Sequence, residues 1–254
     1  MPNYLRCPKC GHAPLPRQQA LPAACPACGV VLAKVGQVPR PRADAPQTHR
    51  PPAREPLPAL LTRVPERVDR IRFWGRAALW LGFAVWGLVL IAQDVPSGAI
   101  GHSFIHGPLL VFHEAGHLIF LAFGEWMAVA GGSLAQLLLP LLLAGALLLV
   151  RGDPFGAAIG LWLFGVSLLD LAPYVYDALV PQLTLLSGHT GEQGGHDWIY
   201  LLESMGWRNR AQAAGLVIHR VGALFVLLAL GWAAWVLRLQ HARIDGDVLH
   251  EEGG

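Results

Sequence analysis

The sequence predicts an all-α polytopic membrane protein of about five transmembrane helices, preceded by a small cysteine module and a polar linker. Three observations predict it. Apolar residues make up 54% of the chain and charged residues only 14%, against roughly 25% charged in a soluble domain. The charge is unevenly placed: both lysines (Lys9, Lys34) and most arginines precede Trp74. Beyond that point come five apolar segments near the roughly 20 residues that cross a hydrocarbon core.

In chain order, residues 1–34 form the cysteine module and residues 35–72 a Pro- and Arg-rich linker with no sustained apolar period, read as disordered. Residues 73–239 are the membrane domain and 240–254 a polar tail. The five spans are Trp74–Ala92, Ile105–Phe123, Leu134–Val150, Phe155–Leu179 and Ala213–Leu237. Gly152, Asp153 and Pro154 mark a tight turn between the third and fourth. The basic bias places the amino terminus in the cytosol, Gln93–Gly101 outside, Arg208 and Arg210 inside, and the acidic tail outside. The expected location is a bacterial inner membrane. A basic segment beside apolar spans points to a bilayer, and nothing in it points to nucleic acid.

All four cysteines lie in two copies of one pattern, Cys7-Pro-Lys-Cys10-Gly and Cys25-Pro-Ala-Cys28-Gly. Met1–Arg6 has no apolar core, so a metal site in a reducing compartment is expected in place of disulfides. Each pattern sets two thiolates on one tight turn, and together they make a closed, structural four-thiolate site. The pattern resembles the zinc-ribbon family. A ribbon this small depends on its metal to fold, and its expected role is to hold a cytosolic protein partner.

The second span contains His113-Glu114-Ala115-Gly116-His117. Histidines four apart share one helix face and can share a zinc ion, and Glu114 then stands beside it as a general base. Ionisable residues inside a span are costly and usually functional. His102 and His106 precede the motif and are expected near the entrance as ordinary interfacial side chains. Asp170, Tyr174 and Asp177 fall on one face of the fourth span, so both carboxylates face the protein interior. A carboxylate is a common third zinc ligand. Gly194-Gly195-His196-Asp197-Trp198 offers a rival set, with Asp197 also suited to capping a short helix that ends near Met205. Gly131, Gly132 and Ser133 are expected to allow close packing, with Gln136 hydrogen-bonded inside. Glu125 and Glu203 read as surface charges.

The run Val111-Phe112-His113-Glu114-Ala115-Gly116-His117-Leu118, followed by Phe123-Gly124, resembles the site-2 protease group of intramembrane metalloproteases. Asp170-Leu-Ala-Pro173-Tyr-Val-Tyr-Asp177-Ala178 stands where that family has Asn-x-x-Pro and then Asp-Gly, with Asp for Asn, Ala for Gly and one residue fewer between. The resemblance implies that His113, His117 and Asp177 bind a catalytic zinc and that Glu114 is the general base. It places Asp170 at the family's substrate-assisting asparagine. The implied activity is hydrolysis of peptide bonds in membrane protein or peptide substrates. The competing expectation is a non-enzymatic membrane protein that binds metal or acts as an adaptor.

Overall fold

The computed structural model describes residues 4–17, 19–21, 23–35, 56–65 and 68–251, with side chains to Ile244. It divides the chain into two units, Met1–Arg54 and Glu55–Gly254. Residues 36–55 of the linker lie outside the described residues.

In the first unit, the amide of Gly11 donates to Cys7 O and that of Gly29 to Cys25 O, both at 2.8 Å. Both glycines take positive φ, 75° and 70°, which is why glycine follows each cysteine pair. Backbone pairing of Ala24 with Val31 closes the second turn, and Leu32 is buried in one cluster with Cys7 and Cys25, which brings the two turns together. The four Sγ atoms lie within 4.8 Å of one another.

The second unit is helical among its described residues: α1 (Leu57–Leu61), α2 (Arg70–Ile91), α3 (His106–Phe120), α4 (Glu125–Leu149), α5 (Pro154–Asp177), α6 (Asp197–Ser204) and α7 (Ala211–Glu251). Asp69 caps α2 by accepting from the Ile71 amide at 2.8 Å, and Pro154 opens α5 at a position where its missing N–H costs nothing. Gly124, at φ 97°, turns the chain from α3 into α4.

Four helices are long and apolar enough to cross a membrane, over Arg70–Ile91, Glu125–Leu149, Pro154–Asp177 and Arg208–Ile244. The expected second span is not among them. Its helix, α3, has 15 residues, about 22 Å at 1.5 Å per residue, short of a hydrocarbon core about 30 Å thick. Its amino-terminal half, at Leu109, belongs to one buried cluster with Leu90 at the end of α2 and with Trp162 and Val166 halfway along α5. Its carboxy-terminal half lies against the start of α4, where His117 meets Ala128. α3 therefore rises from mid-bundle to one end, parallel to α5, and never traverses the unit.

With four crossing helices the two flanks of the bundle meet at one face. Trp232 donates to Leu61 O at 2.8 Å and Arg243 to Val64 O at 2.7 Å, while Arg76 pairs with Asp153 at 3.2 Å. Arg208, bonded to Ala178 O at 3.0 Å, lies at the other end. This corrects the expected topology, in which the tail and Arg208 sat on the opposite sides. Two boundaries also move. Residues 57–65 pack on α7 in place of continuing the disordered linker, and α7 runs on through the polar tail to Glu251. The practical consequence is that a chain starting at Glu55 should keep the thermal stability of the membrane unit. A chain starting at Phe73 loses the Asp69 cap and the contacts to Trp232 and Arg243, and should be less stable by about 1–3 kcal/mol. Detergent melting curves of the two chains measure the difference.

α5 is the central pillar, with 67% of its apolar window buried against 11–28% in the other three spans. The faces left open on α2, α4 and α7 are apolar, as lipid contact requires. Gly165 lets α7 approach closely, since a Cβ there would lie 2.7 Å from the Val226 amide nitrogen.

Candidate metal centre

α3 and α4 form a tight hairpin because small residues face each other. A Cβ on Gly116 would sit 2.2 Å from Gly131 O, and one on Gly131 would sit 2.6 Å from Gly116 O. One turn along, a Cβ on Gly132 would lie 2.6 Å from His113 Nε2 and 2.7 Å from His117 Cε1. The space a side chain would fill is where the two imidazoles sit. The expected close packing of Gly131, Gly132 and Ser133 is observed, and its purpose is to seat these rings.

Both rings are held from behind. His117 Nδ1 is 2.8 Å from Ala128 O; a carbonyl only accepts, so Nδ1 carries the proton. His113 Nδ1 is 3.0 Å from Gln136 Oε1, and Gln136 Nε2 donates to Asp170 Oδ2 at 3.0 Å. A carboxylate accepts, so the NH2 end of the amide faces Asp170 and its oxygen faces His113. His113 therefore also carries its proton on Nδ1. In neutral imidazoles both Nε2 atoms then carry lone pairs, and both face one atom: Asp197 Oδ2, 2.9 Å from His113 Nε2 and 3.3 Å from His117 Nε2.

Three electron-rich atoms facing one point repel unless a cation sits among them. The ligand atoms of His113, His117 and Asp197 lie within 4.8 Å of one another, and two neutral imidazoles with one carboxylate are a donor set of catalytic zinc sites.

Asp197 reaches the site because α6 folds back over the bundle and is pinned there. The Asp197 amide donates to Tyr174 Oη at 2.9 Å and Trp198 Nε1 to Ser133 Oγ at 3.1 Å. His196 stacks on Tyr174 with ring centroids 4.3 Å apart.

Asp177, the expected third ligand, is elsewhere. Its Oδ1 accepts from the Gln182 and Leu183 amides at 2.7 and 3.1 Å, and its Oδ2 lies 3.4 Å from His196 Nε2. Through Oδ1 it closes the carboxy-terminal turn of α5 and steadies the following loop, while Oδ2 is buried without a hydrogen-bond partner. The helix cap expected of Asp197 is made by His196, whose Nδ1 accepts from the Ile199 amide at 3.4 Å. Asp170 does not face the centre either; it is buried against Gln136 and His106, whose Nδ1 is 2.9 Å away.

Glu114 is exposed to a cavity of about 580 Å³ that His106, His113, His117, Tyr174 and Asp197 also line. The loop from Leu183 to Gly195 forms its far wall. His102 is exposed, Glu125 is exposed, and Glu203 pairs with Arg208 at the surface. Gln136 was legible as an internally bonded polar residue; its bond to His113 was not, because nothing in the spacing links position 136 to position 113.

In the cysteine module, Cys7 and Cys28 Sγ are 3.7 Å apart and Cys10 and Cys25 Sγ 3.8 Å. Ligands 2.3 Å from a tetrahedral zinc lie about 3.8 Å from each other, and a disulfide needs about 2.05 Å.

Compared with protein-family profiles, characterised proteins and solved structures, the chain gives no significant match.

Proposed function

We propose that this chain is a zinc-dependent membrane peptidase whose centre is His113, His117 and Asp197, with Glu114 as general base. The observation that carries the proposal is the convergence of both Nε2 atoms and a carboxylate oxygen on one point beside a cavity. His113, His117 and Asp197 would hold a zinc ion, which would supply Lewis acidity to polarise a peptide carbonyl and to acidify water. Glu114, adjacent to His113 and facing the cavity, takes the proton of the attacking water and returns it to the departing amine. Tyr174 accepts from the Asp197 amide, which leaves its own hydroxyl proton to donate toward the cavity. The cavity lining holds no Lys or Arg, so it offers no partner for a free carboxyl terminus and suits an internal peptide bond.

The amino-terminal face of the bundle carries Arg70, Arg72, Arg76, Arg151, Arg238 and Arg243, which under the positive-inside rule is the cytosolic face. Asp170 lies 16 residues along α5 from Pro154, about 24 Å at helical rise, so the centre sits toward the opposite face. Substrates are membrane protein segments or peptides presented at that outer boundary. The cysteine module binds a second, structural zinc as a ribbon, and serves to hold a cytosolic protein partner; the S–S spacings support this. The host membrane in this reading is a bacterial inner membrane.

The function is tested by reconstituting the chain with candidate transmembrane peptides and identifying products by mass spectrometry. New peptide termini are expected with wild type and not with Glu114→Gln. Absence of cleavage alongside a full complement of metal would favour a metal-binding or adaptor role.

A further inference from the structure

The geometry points to Gln136, held by Asp170, as the positioning residue that decides which nitrogen of His113 is free to bind metal, an inference that rests on the metal-centre reading above. The two histidines are supported unequally. His117 Nδ1–H is held by a backbone carbonyl, Ala128 O at 2.8 Å, and a carbonyl cannot change its role. His113 depends on a side-chain amide, which has an accepting end and a donating end of nearly the same shape.

If that amide turned over, its NH2 would face His113 Nδ1. Nδ1 would then have to accept, the proton would move to Nε2, and the ligand atom would be lost. Asp170 prevents this. Its side chain is 4% exposed, and it receives Gln136 Nε2–H at 3.0 Å on one oxygen and His106 Nδ1 at 2.9 Å on the other. A turned-over amide would set its oxygen against that carboxylate. Gln136 is 3% exposed. In the line His106–Asp170–Gln136–His113, His106 and Gln136 both donate to Asp170 and His113 Nδ1 donates to Gln136, which leaves Nε2 as the nitrogen free for a metal. This line also explains a carboxylate deep in an apolar helix, which is costly unless it serves a purpose. The orienting charge stands one side chain further from the metal than where a carboxylate touches the histidine directly.

The test uses the full chain in detergent and cobalt(II) as the probe. Thiolate charge-transfer bands report the four-cysteine site, and ligand-field bands without them report the histidine centre. Gln136→Met keeps a similar volume and removes both hydrogen bonds; cobalt affinity at the histidine centre should fall about 10–100-fold, as for outer-shell losses generally. Gln136→Glu should recover most of that loss, because one proton shared with Asp170 preserves an acceptor toward His113. The second readout needs no metal. Nitrogen-15 shifts of labelled histidine should give His113 as a single Nδ1–H tautomer in the wild type and a mixture in Gln136→Met. If Gln136→Met does not fold, Asp170→Asn serves instead, since an amide there lets Gln136 turn over and gives the same mixture. Wild-type cobalt affinity in Gln136→Met with His113 still wholly Nδ1–H would overturn the inference. A wild-type chain that takes up no cobalt at the histidines would instead overturn the metal-centre reading, while the shifts would still report whether Gln136 sets the tautomer.

Discussion

Replacing Asp197 with alanine is expected to strip the histidine centre of metal, while Asp177→Ala leaves it loaded. Among the described residues, Asp197 supplies the only carboxylate oxygen grouped with both Nε2 atoms. Its loss removes a direct ligand and the one negative charge that offsets the cation, so affinity should fall by more than the 10–100-fold seen for outer-shell changes. Asp177→Ala acts differently. It leaves the Gln182 and Leu183 amides without their acceptor, at a cost of about 1–3 kcal/mol. Thermal unfolding should shift down and metal content should not. Elemental analysis and melting curves of the two variants separate these outcomes; the reverse pattern would restore Asp177 as ligand.

The second large effect is on turnover. Glu114→Gln keeps shape and removes the base, so hydrolysis of a cleavable membrane peptide should fall about 10²–10⁴-fold, the usual range for a lost general base. Glu114 is not among the converging ligand atoms, so the metal should stay bound. Initial rates and metal content measured on one preparation check both halves. Loss of metal together with activity would make Glu114 a ligand, contrary to the account.

Why some of this was legible in the sequence and some was not follows from the range over which each signal acts. Helical periodicity is local, so the His113–His117 pair and the shared face of Asp170 and Asp177 could be read directly. So could the cysteine patterns, since each glycine with positive φ follows its own pair. Hydropathy marked α2, α4, α5 and α7, but overcounted at α3. The segment Ile105–Phe123 is apolar enough, yet it begins at mid-bundle and ends in a 3-10 turn at Leu121–Phe123. That single overcount reversed the sidedness of everything after it.

That Asp197 and not Asp177 meets the two histidines was hidden for a related reason. Asp177 shares a face with Asp170 on a long helix, which is a strong local signal, whereas Asp197 reaches the histidines through a fold-back fixed by Tyr174, Ser133 and Trp198. Those contacts join residues 23 and 65 positions apart, and no periodicity encodes them. The glycine-rich approach at Gly194 and Gly195 was the available clue, both with positive φ and both next to His196 and Asp197.

The central claim is that two separate metal centres exist, one thiolate and one built on His113, His117 and Asp197. The zinc content of the purified full chain tests it most directly. The account predicts two ions per chain, falling to one when His113 and His117 are both replaced by alanine, with the remaining ion resistant to mild chelation. A single ion per chain that is indifferent to the loss of both histidines would contradict it.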